Sequence, residues 1–141
     1  MKNSKVFFTA FALSLCIVFT HCQHDTTGFN PSTEEVLVRN AWSIDYYYHN
    51  QDMTNDYGSS RILFSSTGAV GYQRNGETIA GTWTKTIDAL NNEFLTLHFS
   101  TSDASVSRLN ESWKLTNKSA SSLQFEETDG VSNILFRIKT Q

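Results

Sequence analysis

From residue 41 onward, apolar and polar positions alternate along this chain. "AWSIDYYYH" sets Trp42, Ile44, Tyr46 and Tyr48 on one face and Tyr47 on the other. The same period of two runs through "SSRILFSS" (Ile62, Phe64), "GAVGYQR" (Val70, Tyr72), "ETIAGTWTKTI" (Ile79, Gly81, Trp83) and "EFLTLHF" (Leu95, Leu97, Phe99). It continues through "RLNESWKL" (Leu109, Trp113, Leu115), "SLQFEET" (Leu123, Phe125) and "NILFRIK" (Ile134, Phe136, Ile138). A period of two marks a strand with one buried face, and eight such segments are predicted. Ahead of them, "PSTEEVLV" places Glu35 three residues after Ser32. That is the spacing of a capping box, and it predicts one or two helical turns ending by Val38.

The punctuation is turn chemistry. "STG" (66–68) and Asn75–Gly76 suit tight hairpins, because Gly and Asn tolerate positive φ. "DALNN", "TSDAS", "TNKSAS" and "TDGVS" are polar turns, and residues 50–60 form the one long loop, a possible lid. Similar strands on short connectors pair consecutively and antiparallel. The fold class is therefore all-β: an eight-stranded antiparallel up-and-down barrel with a short N-terminal helical turn. A two-sheet sandwich is the alternative that a binary pattern leaves open.

Composition bounds the rest. The 141 residues are 39% hydrophobic and 13% aromatic, enough for one core. A net charge of −3 supplies no basic face for nucleic acid.

The N-terminus reads as a targeting segment. Lys2 and Lys5 precede the apolar run Val6 to Thr20, and polar residues begin at His21. Fifteen residues are short for a spanning helix, which needs about 20; a signal anchor is the alternative. Both cysteines lie here. Cys16 sits within the run and Cys22 directly after it. A disulfide between them would place one partner in a segment that is removed. "HCQH" lacks the second ligand cluster a metal site needs. A cysteine after an apolar run, followed by polar residues, resembles the lipobox of a bacterial lipoprotein, in which Cys22 would carry the lipid. "FTHC" departs from the stricter lipobox, as relaxed boxes in Bacteroidetes do. The domains are then residues 1–21 as lipoprotein signal peptide, 22–35 as tether and 36–141 as barrel. Removing 1–21 leaves nine basic against fourteen acidic residues, a net charge of −5.

Three tryptophan motifs, "NAWSIDYYY", "GTWTKT" and "ESWKL", with "ILFSSTGAVGYQRNGETIAGTW" linking the first two, resemble the small lipocalin-like lipoproteins of Bacteroidetes. The resemblance covers about residues 36–140. It implies an eight-stranded, calycin-type barrel in the bacterial envelope. "QHDTTG" after Cys22 offers only Asp25 and no acidic cluster of the kind surface-exported lipoproteins carry, so the expectation is an outer-membrane lipoprotein facing the periplasm, anchored by N-terminal acyl chains. It implies no defined substrate. In lipocalins proper a G-x-W tryptophan plugs the closed end. Here Asn40 replaces the Gly, and Trp42 is the candidate plug.

An apolar or amphipathic ligand inside the barrel would meet Trp42, Tyr46, Tyr48, Phe64, Tyr72, Trp83 and Trp113, although ordinary aromatic packing explains the same residues. The alternative is a solid scaffold that docks another envelope protein. No catalytic constellation assembles: His98 lies opposite its apolar neighbours without triad partners, no serine has a nucleophile-elbow context, and the adjacent acidic pairs diverge. The chain is expected to be non-enzymatic and free of cofactor and metal.

Overall fold

The computed structural model describes residues 31–128 and 133–141. The signal segment, Cys16, Cys22 and residues 22–30 of the tether lie outside the described residues, as does most of the "TDGVS" turn.

The helix α1 (Thr33–Arg39) forms as its capping box requires. The Ser32 hydroxyl accepts from the Glu35 N–H at 3.2 Å, and the Glu35 carboxylate accepts from the Ser32 N–H at 2.8 Å. The helix begins within the stretch read as tether, and Thr33 is buried. After α1, eight strands follow: β1 (Ala41–His49), β2 (Arg61–Phe64), β3 (Ala69–Arg74), β4 (Glu77–Ile87), β5 (Glu93–Phe99), β6 (Ser112–Lys118), β7 (Ser122–Glu127) and β8 (Ile134–Thr140). Each pairs antiparallel with the next, and β8 returns to β1, so the sheet is a closed barrel. Closure excludes the sandwich and leaves no free edge.

Turn geometry follows the sequence. Gly68 has φ +82°, and Asn75 and Gly76 have φ +54° and +83°, the left-handed pair of a tight hairpin. Gly81 answers a different need. A Cβ there would lie 2.4 Å from the His98 carbonyl oxygen and 2.7 Å from the Phe99 ring, so only glycine admits β5 this closely.

The alternation of β1 breaks at Asp45. Ile44 pairs with Ile138 and Tyr46 with Arg137, which leaves Asp45 as the extra residue of a bulge. Its carboxylate is held from β8 by Arg137 and Lys139, each at 2.7 Å. One added residue inverts the parity downstream. Tyr47 turns inward at 1% exposure, while Tyr46 and Tyr48 stack on each other outside, with Arg137 over the Tyr46 ring. This corrects the expectation that Tyr46 and Tyr48 share the inner face with Trp42.

Two short helical pieces also depart from the sequence reading. The 50–60 loop contains a 3₁₀ turn (Thr54–Tyr57), and the β5–β6 connection contains α2 (Ala104–Ser107). Leu109, read as a strand residue, follows α2 and is fully buried before β6 begins.

Candidate functional site

The predicted lining residues other than Tyr46 and Tyr48 do converge inside the barrel. Trp42 and Trp113 are wholly buried, and Tyr72, Trp83 and Phe64 are nearly so. They meet neighbouring rings. Phe136 lies 5.1 Å from Trp113, 5.7 Å from Phe125 and 6.3 Å from Tyr47, centroid to centroid. Phe64 meets Trp83 edge-on at 5.5 Å, and Tyr72 meets Phe99 edge-on at 6.4 Å. Such offset and edge contacts are the arrangements aromatic quadrupoles favour. Each indole N–H finds a backbone carbonyl: Trp42 on Leu37, Trp83 on Ser65 and Trp113 on Leu109, at 2.9 to 3.0 Å. The Tyr72 hydroxyl is the exception, buried without a hydrogen-bond partner among the described residues.

The two ends of this interior are closed by different means. At one end Trp42 sits beneath α1, whose Val36 and Leu37 are buried. Asn40 holds the helix terminus by donating to the Val36 carbonyl at 3.2 Å. At the other end the 3₁₀ turn drives Tyr57 into the barrel mouth, 4.9 Å from the Tyr47 ring. Its hydroxyl donates to the Ser105 carbonyl at 3.0 Å. The loop read as a lid is thus a plug whose aromatic residue belongs to the core. Burial pushes the Tyr47 hydroxyl up to about 12 and the Tyr57 hydroxyl higher still, so both remain neutral donors.

Around Tyr57 lies a polar cluster. Asp103 caps α2, accepting from the Ser105 and Val106 N–H groups at 2.9 and 3.1 Å. Arg74 bridges β3 to both loops, pairing with Asp103 and donating to the Asp56 carbonyl at 2.8 Å. Arg108 pairs with the Asp56 carboxylate at 2.8 Å. The Ser105 hydroxyl, the Val106 N–H and then Arg74 hold the Asp103 carboxyl below its ordinary value. The Asp56 hydrogen bond raises the Arg108 guanidinium. These groups line a cleft of about 390 Å³, yet each charge already has its counter-charge inside the cleft. Its chemistry is that of a latch between loops. Sequence reading missed it because its members lie 18 to 52 positions apart; the "SDAS" capping pattern at Asp103 was the available signal.

Other clefts are external. One of about 280 Å³ runs along the Asn75–Gly76 hairpin, and one of about 240 Å³ joins Glu34, Gly68 and Lys85 beside Trp83. His98 is exposed on the outer face. Among the described residues no His, Cys, Asp and Glu cluster could hold a metal ion, and no helix is long and apolar enough to cross a membrane.

No family model and no curated protein matches this chain. Among solved structures, a redesigned β-barrel aligns with 77% of the chain and 94% of its own length, at 15% identity and a TM-score of 0.39. A crystal structure of a DUF4847 family protein from Bacteroides vulgatus aligns with 78% of this chain and 98% of its own length, at 14% identity and a TM-score of 0.58. At that identity the likeness is one of overall fold, which this chain shares with the Bacteroides protein.

Proposed function

We propose that this chain is a lipid-anchored protein of the bacterial envelope, held by acyl chains on Cys22, whose barrel is a solid, non-catalytic scaffold. Its outer surface, rather than its interior, is what it offers to other molecules. One observation carries the reading: the interior is occupied by interlocked aromatic side chains and shut at both ends, by α1 over Trp42 and by Tyr57 under α2. A pocket that takes a small molecule is concave and largely preformed. The calycin-type resemblance is supported by the Trp42 plug and by the barrel fold shared with the Bacteroides protein; the envelope setting, an outer membrane facing the periplasm, rests on the lipobox-like sequence at Cys22 and the single acidic residue that follows it, Asp25.

A second reading keeps an apolar or amphipathic ligand in the barrel. It is favoured by the Tyr72 hydroxyl, whose burial without a partner is costly unless something satisfies it.

Native mass spectrometry on protein recovered from its own envelope tests both. The expected spectrum is an acylated chain with no small-molecule adduct, whose acyl mass disappears in Cys22→Ala. A bound small molecule that is lost in Tyr72→Phe replaces the scaffold reading with the ligand reading. An unmodified Cys22 removes the anchor.

A further inference from the structure

We propose that the β4–β5 turn is a membrane-docking tip that seats the barrel against the phospholipid interface; this rests on the Cys22 anchor proposed above. Among the described residues three large hydrophobic side chains stand exposed. Leu90 (81%) and Ile87 (55%) are the most exposed of them; Leu90 lies in this turn and Ile87, the last residue of β4, at its base. Ala89 between them is exposed as well. Exposed apolar side chains gathered at one tip are the kind of feature that an interface covers.

The turn is built to present them rigidly. The Asp88 carboxylate accepts from the Leu90 and Asn92 N–H groups, both at 2.8 Å, and from the Asn92 side chain at 2.7 Å. The Asp88 N–H donates to the Asn92 carbonyl and the Asn91 N–H to the Asp88 carbonyl, each at 3.0 Å. Four backbone donors are therefore satisfied within the turn. That removes the main penalty for bringing backbone into a region poor in water.

Its place in the fold names the occupant. Glu93, directly after the turn, hydrogen-bonds Thr33 at the start of α1. Lys118, which shares a cleft with Asn91 and Asn92, donates to the Pro31 carbonyl at 3.4 Å. The tip and the point where the tether enters thus share one end of the barrel. From Cys22 to Pro31 is nine peptide steps, roughly 30 Å at full extension. An anchor at Cys22 therefore enters the barrel at this end, with the Tyr57 end on the far side. Lys85, Lys114 and Asp88 around the turn are of mixed sign, so the contact is apolar in character. Two apolar side chains bind a bilayer weakly by themselves. A tether supplies the effective concentration that makes weak docking persistent.

The folded domain contains no cysteine, so single labels are clean. The full chain is produced in a lipoprotein-processing bacterium as Leu90→Cys and as Ala104→Cys, the latter on exposed Ala104 of α2 at the opposite end. Each is labelled with an environment-sensitive fluorophore and placed in phosphatidylethanolamine–phosphatidylglycerol vesicles carrying a lipid-borne quencher. The expected result is one label per chain and quenching several-fold stronger at 90 than at 104. More than one label per chain means that Cys22 is free, and overturns the anchor and the docking together. One label with equal quenching overturns the docking alone. A probe at 90 shielded in intact envelopes but not in protein-free vesicles assigns the tip to a protein partner and also overturns the lipid proposal.

Discussion

The two ends of the barrel solve one problem with different physics. The α1 end is closed by a neutral, mostly apolar contact: Trp42 and Leu37 buried together, with one indole-to-carbonyl hydrogen bond between them. Helix and plug are neighbours in sequence, so closing this end orders little extra chain. The Tyr57 end is closed by two loops that meet across long sequence separations, and Arg74 and Arg108 tie them through charge-assisted bonds. Apolar burial is insensitive to salt and pH, whereas partly exposed ion pairs respond to both. The Trp42 contact itself should be indifferent to both, and the ion pairs at the other end should respond to them.

The largest break should come at the neutral end. Trp42→Ala removes a fully buried indole and leaves a cavity, a loss of about 3–5 kcal/mol in chemical denaturation. Because α1 rests on that ring, the whole barrel should melt in one step.

Arg74→Ala should cost less, about 1–2 kcal/mol, since the pair with Asp103 is partly exposed. The sharper readout is regional. Amide exchange should rise across 54–60 and 103–109 while α1 keeps its protection. Equal loosening at both ends would mean that the latch is not local.

Acid should act in the same place. The Asp103 carboxyl lies below its ordinary 3.8 in the folded chain, so its contribution is present above that value and is lost as pH falls through the folded value. Stability should therefore hold through neutral and mildly acidic pH and fall below about pH 4. Asp103→Asn should flatten part of that slope in pH-dependent thermal melts.

The smallest effects form a matched pair. Tyr57→Phe deletes a buried bond to the Ser105 carbonyl and should cost about 1 kcal/mol. Tyr72→Phe deletes a hydroxyl with no partner among the described residues, and should change stability by no more than about 0.5 kcal/mol, or raise it. A clear loss in Tyr72→Phe would show that its hydroxyl is satisfied.

The strands and tight turns were legible because period and turn chemistry are local properties. Eight alternating runs and the Asn75–Gly76 hairpin needed no knowledge of partners. The inner face of β1 was not legible in full. Three consecutive tyrosines fit either parity, and the residue that decides between them is Asp45. Its reason for bulging lies on β8, in Arg137 and Lys139, some 90 positions away. The plug was missed for a related reason. Tyr57 sits in a polar loop without periodicity, and its burial depends on Tyr47 and Ser105. For the candidate site, the buried aromatics could be picked out as a group. Whether they enclose space or fill it depends on ring-to-ring distances, which no spacing in the sequence encodes.

The pairing of β1 with β8 has a consequence in time. A chain is made from its N-terminus, so the first strand is finished long before its partner exists. From His49 to Ile134 the wait is on the order of ten seconds at ordinary synthesis rates. Throughout it the growing sheet has two open edges and uncovered aromatic rings, the state most prone to pairing with the wrong neighbour. Only when the last residues arrive, ending with the Gln141 N–H on the Ala41 carbonyl, can the cylinder shut. Residues 134–141 are thus the segment that ends the sheet's exposure to misassembly, and a chain that lacks them leaves a sheet with nothing to close it.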